Sequence, residues 1–90
     1  MTAVDKVGVS FGRATTPGNS AFVITPDDDE DLAYVTRGIY VGVAGDVKVD
    51  MFGAGTAVIF KDLAAGVVHP LRVKRVYEAG TDATDIVGVY

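Results

Sequence analysis

From Ala21 onward, apolar or alternating runs of five to eight residues are separated by short stretches rich in Gly and Asp. Such punctuation marks antiparallel strands. Ala21 to Thr25 reads as a first strand. It is closed by Pro26, which has no N–H for a ladder, and by the acidic run Asp27 to Asp31, a turn. Leu32 to Thr36 reads as a short extension, and Arg37 to Val43 follows with Ile39, Val41 and Val43 on one face. Asp46 to Met51 alternates most cleanly, with Val47, Val49 and Met51 on one side and Asp46, Lys48 and Asp50 on the other. Ala44 and Gly45 leave a connection short enough to join these two strands as a hairpin.

After Gly53 and Gly55, Thr56 to Lys61 places Val58 and Phe60 on one face, and Ala57 and Ile59 on the other. Both faces are apolar, so this strand either sits centrally or meets another subunit. Val67 to Tyr77 is one long strand or two short ones, and its phase breaks after Lys74. Arg75 would fall on the inner side while Val76 carries the apolar side chain, which predicts an inserted residue, a β-bulge. Thr84 to Tyr90 is a final strand, and no stretch keeps helical periodicity over three turns. The pattern therefore predicts an all-β fold, a small antiparallel β-sandwich or barrel of about seven short strands. Residues 21–90 form a single β domain whose core is Ile39, Val41, Val47, Val49, Val58, Phe60, Leu71, Val73 and Val87. Met1 to Ser20 is weakly patterned, contains Gly12, Pro17 and Gly18, and reads as an extended N-terminal arm with room for a short strand at Lys6 to Phe11.

Composition sharpens this picture. Val occurs 16 times and Leu only 3 times, and such β-branched side chains suit a pleated surface better than a helix. A net charge of −4 argues against a phosphate backbone as partner, so nucleic acid is not expected. No apolar run approaches the ~20 residues of a membrane span, and Met1 to Asp5 lacks a signal peptide's charged and apolar regions. Zero Cys removes disulfides and thiolate chemistry. A domain of 90 residues hides only about 60–65% of the surface its unfolded chain exposes, so self-association would help it.

No catalytic constellation is readable. His69 is the single histidine, Ser10 and Ser20 are conceivable partners, and no Gly-x-Ser-x-Gly elbow exists. His69 is read as structural. The carboxylates Asp27 to Asp31 could ligate Ca²⁺, but the EF-hand order is absent, and a solvated acidic loop is the plainer reading. Gly53 and Gly55 resemble the start of a phosphate loop only superficially, because Val58 stands where the third glycine belongs. No metal or cofactor is expected. Arg72, Lys74 and Arg75 form the basic cluster; it is either a wet sheet face or one side of an inter-subunit salt bridge to an acidic loop such as Asp27 to Asp31 of a neighbour. The aromatics Tyr34, Tyr40, Phe52, Tyr77 and Tyr90 suit an interface, core packing or a sugar-stacking platform.

The segments Phe22-Val-Ile-Thr-Pro26, the turn ending Asp31-Leu32, Arg37-Gly-Ile-Tyr-Val-Gly42, Gly45-Asp-Val47, Ala64-Ala-Gly66, Pro70-Leu-Arg-Val73, Arg75-Val76 and Gly80-Thr-Asp-Ala-Thr-Asp-Ile-Val87 occur in an order that resembles the head spike base proteins of alphaproteobacterial gene transfer agents and related tailed phages. The resemblance covers Ala21 to Tyr90, and contains no catalytic motif. It implies a non-enzymatic virion protein, made in the host cytoplasm and placed on the capsid surface. There it would form a homo-oligomer, a pentamer on capsid vertices, bind capsid protein and a spike fibre protein, and so support attachment to host surface polysaccharide. Tyr40, Phe52, Ala57, Ile59, Arg72, Lys74 and Tyr90 are the candidate inter-subunit or partner contacts. The competing expectation is a stand-alone carbohydrate-binding module in which Tyr40, Phe52 or Tyr77 stacks on sugar rings.

Overall fold

The computed structural model describes residues 18–90, so the short strand expected at Lys6 to Phe11 lies outside the described residues. Seven strands follow in order: β1 Ala21–Val23, β2 Gly38–Val43, β3 Gly45–Met51, β4 Val58–Leu63, β5 Val68–His69, β6 Val73–Val76 and β7 Thr84–Val89. They form two antiparallel sheets, ordered β1-β7-β2-β5 and β4-β3-β6. The fold is all-β, as the alternation predicts, and two separate sheets make it a sandwich. Among the described residues there is no helix.

The core lies between the sheets. Ile39, Val41 and Ile86 point in from one layer and Val47, Val49, Val73 and Val76 from the other, all at most 2% exposed. Phe60 and Leu71 pack against this cluster from its margin. Two residues expected in the core lie elsewhere. Val58 is 36% exposed because β4 is an edge strand, which also removes the reading of that strand as central. Val87 is half-buried on the outward side of β7, registered against Val23 and Tyr40, while its neighbour Ile86 takes the inward position. Both residues are apolar, so the sequence left the phase of β7 open by one residue.

The expected hairpin between β2 and β3 does not form. β2 pairs with β7 and β5, β3 pairs with β4 and β6, and the chain changes sheet at Ala44. Two-residue hairpin turns need positive φ, and neither Ala44 nor Gly45 has it. Gly45 serves a close approach instead: a Cβ there would stand 2.7 Å from the backbone nitrogen of Ala83. The Asp46 carbonyl accepts the N–H groups of Asp82 and Ala83 at the same crossing.

The bulge predicted after Lys74 is present. Asp50 registers with Arg75 and Met51 with Val73, so Lys74 is the extra residue and both Val73 and Val76 reach the core. A second irregularity, which the alternation did not announce, separates the pairs Gly45↔Leu63 and Val47↔Phe60. Here Asp62 adopts φ 51° and its N–H donates to the Asp46 carboxylate at 2.9 Å. Val67 to Tyr77 resolves into two short strands, one in each sheet.

The expected extension Leu32 to Thr36 is not a strand, yet Leu32, Val35 and Thr36 are buried. This segment hangs on the edge of β6 through Asp27 N–H to the Val76 carbonyl, Leu32 N–H to Lys74 and Thr36 N–H to Val73. The edge of β6 is thereby covered.

Candidate functional site

The two outward sides of the sandwich differ in chemistry. On the three-stranded sheet, the Asp50 carboxylate is 7% exposed and accepts the Tyr77 hydroxyl and the Ala57 N–H, each at 2.8 Å. That bond to Asp50, reinforced by burial, pushes the Tyr77 hydroxyl above its ordinary pKa. Lys48 lies 5.0 Å from the centre of the Tyr77 ring and the Arg75 guanidinium 5.8 Å from it. Lys61 pairs with Asp46 at 3.2 Å. The Asp62 N–H first, and the Lys61 ammonium second, hold the Asp46 carboxyl below its usual range. This is a wet face whose charges are paired within the chain.

The four-stranded sheet is the opposite case. Register places Val23, Val87, Tyr40 and Val68 in one row across all four strands. Val23 is 78% and Val68 56% exposed. The neighbouring positions are Ala21, Val89 and Gly38, and a Val68 methyl lies where a side chain at Gly38 would begin. Gly42 is covered by Asp85, whose carboxylate bounds the row on one side. An apolar stripe of this kind on a monomer marks an interaction surface.

The basic cluster and the acidic run meet, but within one chain. Arg75 Nε donates to Asp31 at 2.9 Å, and its terminal nitrogens donate to the carbonyls of Asp28 and Asp29. Burial works against the Arg75 charge, yet the Asp31 carboxylate outweighs it and leaves the pKa raised. Asp28 accepts two backbone N–H bonds, from Glu78 and Ala79, both at 3.0 Å. Asp27 caps the Asp29 N–H at 2.8 Å. The acidic run is thus a fastened loop, and Arg75 fastens it. Beside it runs a groove of about 300 Å³ bounded by Phe22 and Val23 of β1 and by Glu30 and Leu32. Among the described residues no group of three or more His, Asp or Glu side chains gathers as a metal site.

The remaining candidate contacts are dispersed. Tyr40 stands in the apolar row, Phe52 lies under the Arg72 guanidinium at 4.8 Å, and Tyr77 lies near Lys48 and Arg75. These three rings do not form one platform. Tyr90 stacks on Tyr34 at 4.4 Å, and Phe22 meets both rings edge-on. Ala57 and Ile59 lie on the exposed β4 side, Ala57 at φ 54°. Lys74 is the half-buried bulge residue. His69 Nε2 is 2.8 Å from the Ala64 carbonyl and the Ser20 hydroxyl donates to Asn19, so the structure does not bring these two side chains together.

The apolar row is the feature that residue patterning missed. Its signal was present in the adjacent apolar residues Phe22-Val23, Ile39-Tyr40-Val41 and Ile86-Val87, because neighbours in a strand face opposite ways.

No protein-family model and no curated protein matches the chain. Among solved structures it superposes, with a TM-score of 0.76 and 30% identity, on a chain of a structure described as the capsid of a native GTA particle computed with C5 symmetry. The match covers 97% of this chain and 100% of that one.

Proposed function

Because the chain belongs to the family of capsid components of gene transfer agent particles, and is therefore a structural protein of the virion, we propose that it is the base of a head spike. In this reading it assembles as a homo-oligomer, a pentamer seated on capsid vertices. One side contacts capsid protein, and another carries a fibre protein toward surface polysaccharide on the recipient cell. Its action is mechanical and involves no catalysis. The observation that carries the reading is the end-to-end match to a particle component solved under C5 symmetry. The apolar row Val23, Val87, Tyr40 and Val68 supports it, since a free-standing monomer has little use for such a surface.

Deleting the coding sequence tests the reading. Particles assembled without this protein should keep their DNA-filled heads, lack projections at the vertices in electron micrographs, and bind recipient cells less well. Intact vertex projections on such particles would refute it.

A further inference from the structure

The large apolar side chains left exposed fall mainly on two separate parts of the sandwich. One is the outward side of the four-stranded sheet, where Val23 and Val68 are each more than half exposed, with the half-exposed Val67 next to Val68. The other is β4, where Val58 is 36% and Ile59 45% exposed. Among the described residues β4 is an edge strand with no partner on its far side; its half Val58 to Phe60 is apolar, while Lys61, Asp62 and the register irregularity blunt the other half. The edge of β6, by contrast, is covered by residues 27–36.

A ring of identical copies cannot be closed by one patch meeting itself; each copy must offer two unlike patches, one to each neighbour. This chain has two. The molecule measures 35 × 27 × 20 Å, and its short dimension suits two stacked sheets with their side chains. An edge of at most 35 × 20 Å laid on the broad side covers up to roughly 700 Å², close to the ~800 Å² per partner of a standard interface. Ile59, registered with Lys48, is the apolar margin of the outward side of the three-stranded sheet and Val58 lies on the opposite face of the same strand; the rest of that outward side is a poor competitor, because its charges already have partners within the chain.

We propose that the occupant of the apolar row is a second copy of this chain, and that the contact is head-to-tail: the β4 edge of one copy, through Val58 and Ile59, packs on Val23, Val87, Tyr40 and Val68 of the next. This rests on the oligomeric reading above and adds which surface meets which.

Two variants of the full chain separate the possibilities. Val68→Asp disables the row and Ile59→Asp disables the edge. Each should weaken self-association on the order of 100-fold, so that each alone runs as a single 9.4 kDa chain in light scattering. Mixed in equal amounts they should form a species of twice that mass and no larger, because the intact edge of one still fits the intact row of the other. Val23→Asp and Ile59→Lys repeat the experiment at exposed positions, and circular dichroism confirms folding of every variant. Wild-type protein that assembles while Ile59→Asp assembles equally well, or a mixture that stays monomeric, overturns the head-to-tail contact and leaves the oligomer standing. Wild-type protein that stays monomeric at high concentration overturns both.

Discussion

Thr36 is the residue on which two segments meet. Fully buried, its hydroxyl donates to the Leu71 carbonyl at 2.8 Å and accepts the Val73 N–H at 3.0 Å, while its methyl fills core space. Thr36→Val keeps the shape and strands both backbone groups, so it should lower stability by about 2–3 kcal/mol, whereas Thr36→Ser should cost about 1 kcal/mol. Urea midpoints of the two variants check this. Asp46 offers a test in pH. Its pKa is lowered in the folded chain, so its contribution is present above the ordinary value of 3.8 and is lost as pH falls below it. The stability gap between wild type and Asp46→Asn should therefore shrink on acidification through that range, measured by thermal unfolding at a series of pH values. None of this was visible in the pattern of residues: Thr36 looked like strand filler, and Asp50 like a solvent-facing carboxylate, because a cross-strand partner such as Tyr77 cannot be read from one strand alone.

At the scale of elements, phase was legible and partnership was not. The alternation of Asp46 to Met51 placed Val47 and Val49 inward, and the break after Lys74 located the bulge, because side-chain period registers any inserted residue. That reading makes a prediction. Deleting Lys74 would turn either Val73 or Val76 outward, at about 1.5–3 kcal/mol for the exposed side chain alone. Lys74→Ala, which keeps the spacing, should change stability by no more than about 0.5 kcal/mol. Denaturant titration of both variants distinguishes spacing from side chain. The β2–β3 hairpin was misjudged for the complementary reason: a short connection joins strands in one sheet or carries the chain across to another. What decides between them is the turn backbone and the close approach of Gly45 to Ala83, neither of which periodicity reports. The apolar row was legible in principle from adjacent apolar residues in β1, β2 and β7, but it needed the register to show that these lie side by side.

For the whole molecule, the notable asymmetry among the described residues is between a charged side whose partners are internal and a side that exposes an apolar row. A second asymmetry lies in the chain order. β7, the last strand, stands between β1 and β2 in the four-stranded sheet, and without it those two have no common neighbour. A chain ending at residue 83 should therefore show no cooperative unfolding transition by calorimetry, although it retains six of the seven strands. The same placement sets a timetable during synthesis. While residues 84–89 are still inside the ribosome, the nascent polypeptide has a gap at the centre of one sheet and sticky strands on either side of it. The four-stranded sheet consequently cannot close before β7 has emerged, and a cell producing many copies at once must keep unfinished chains apart until that strand arrives.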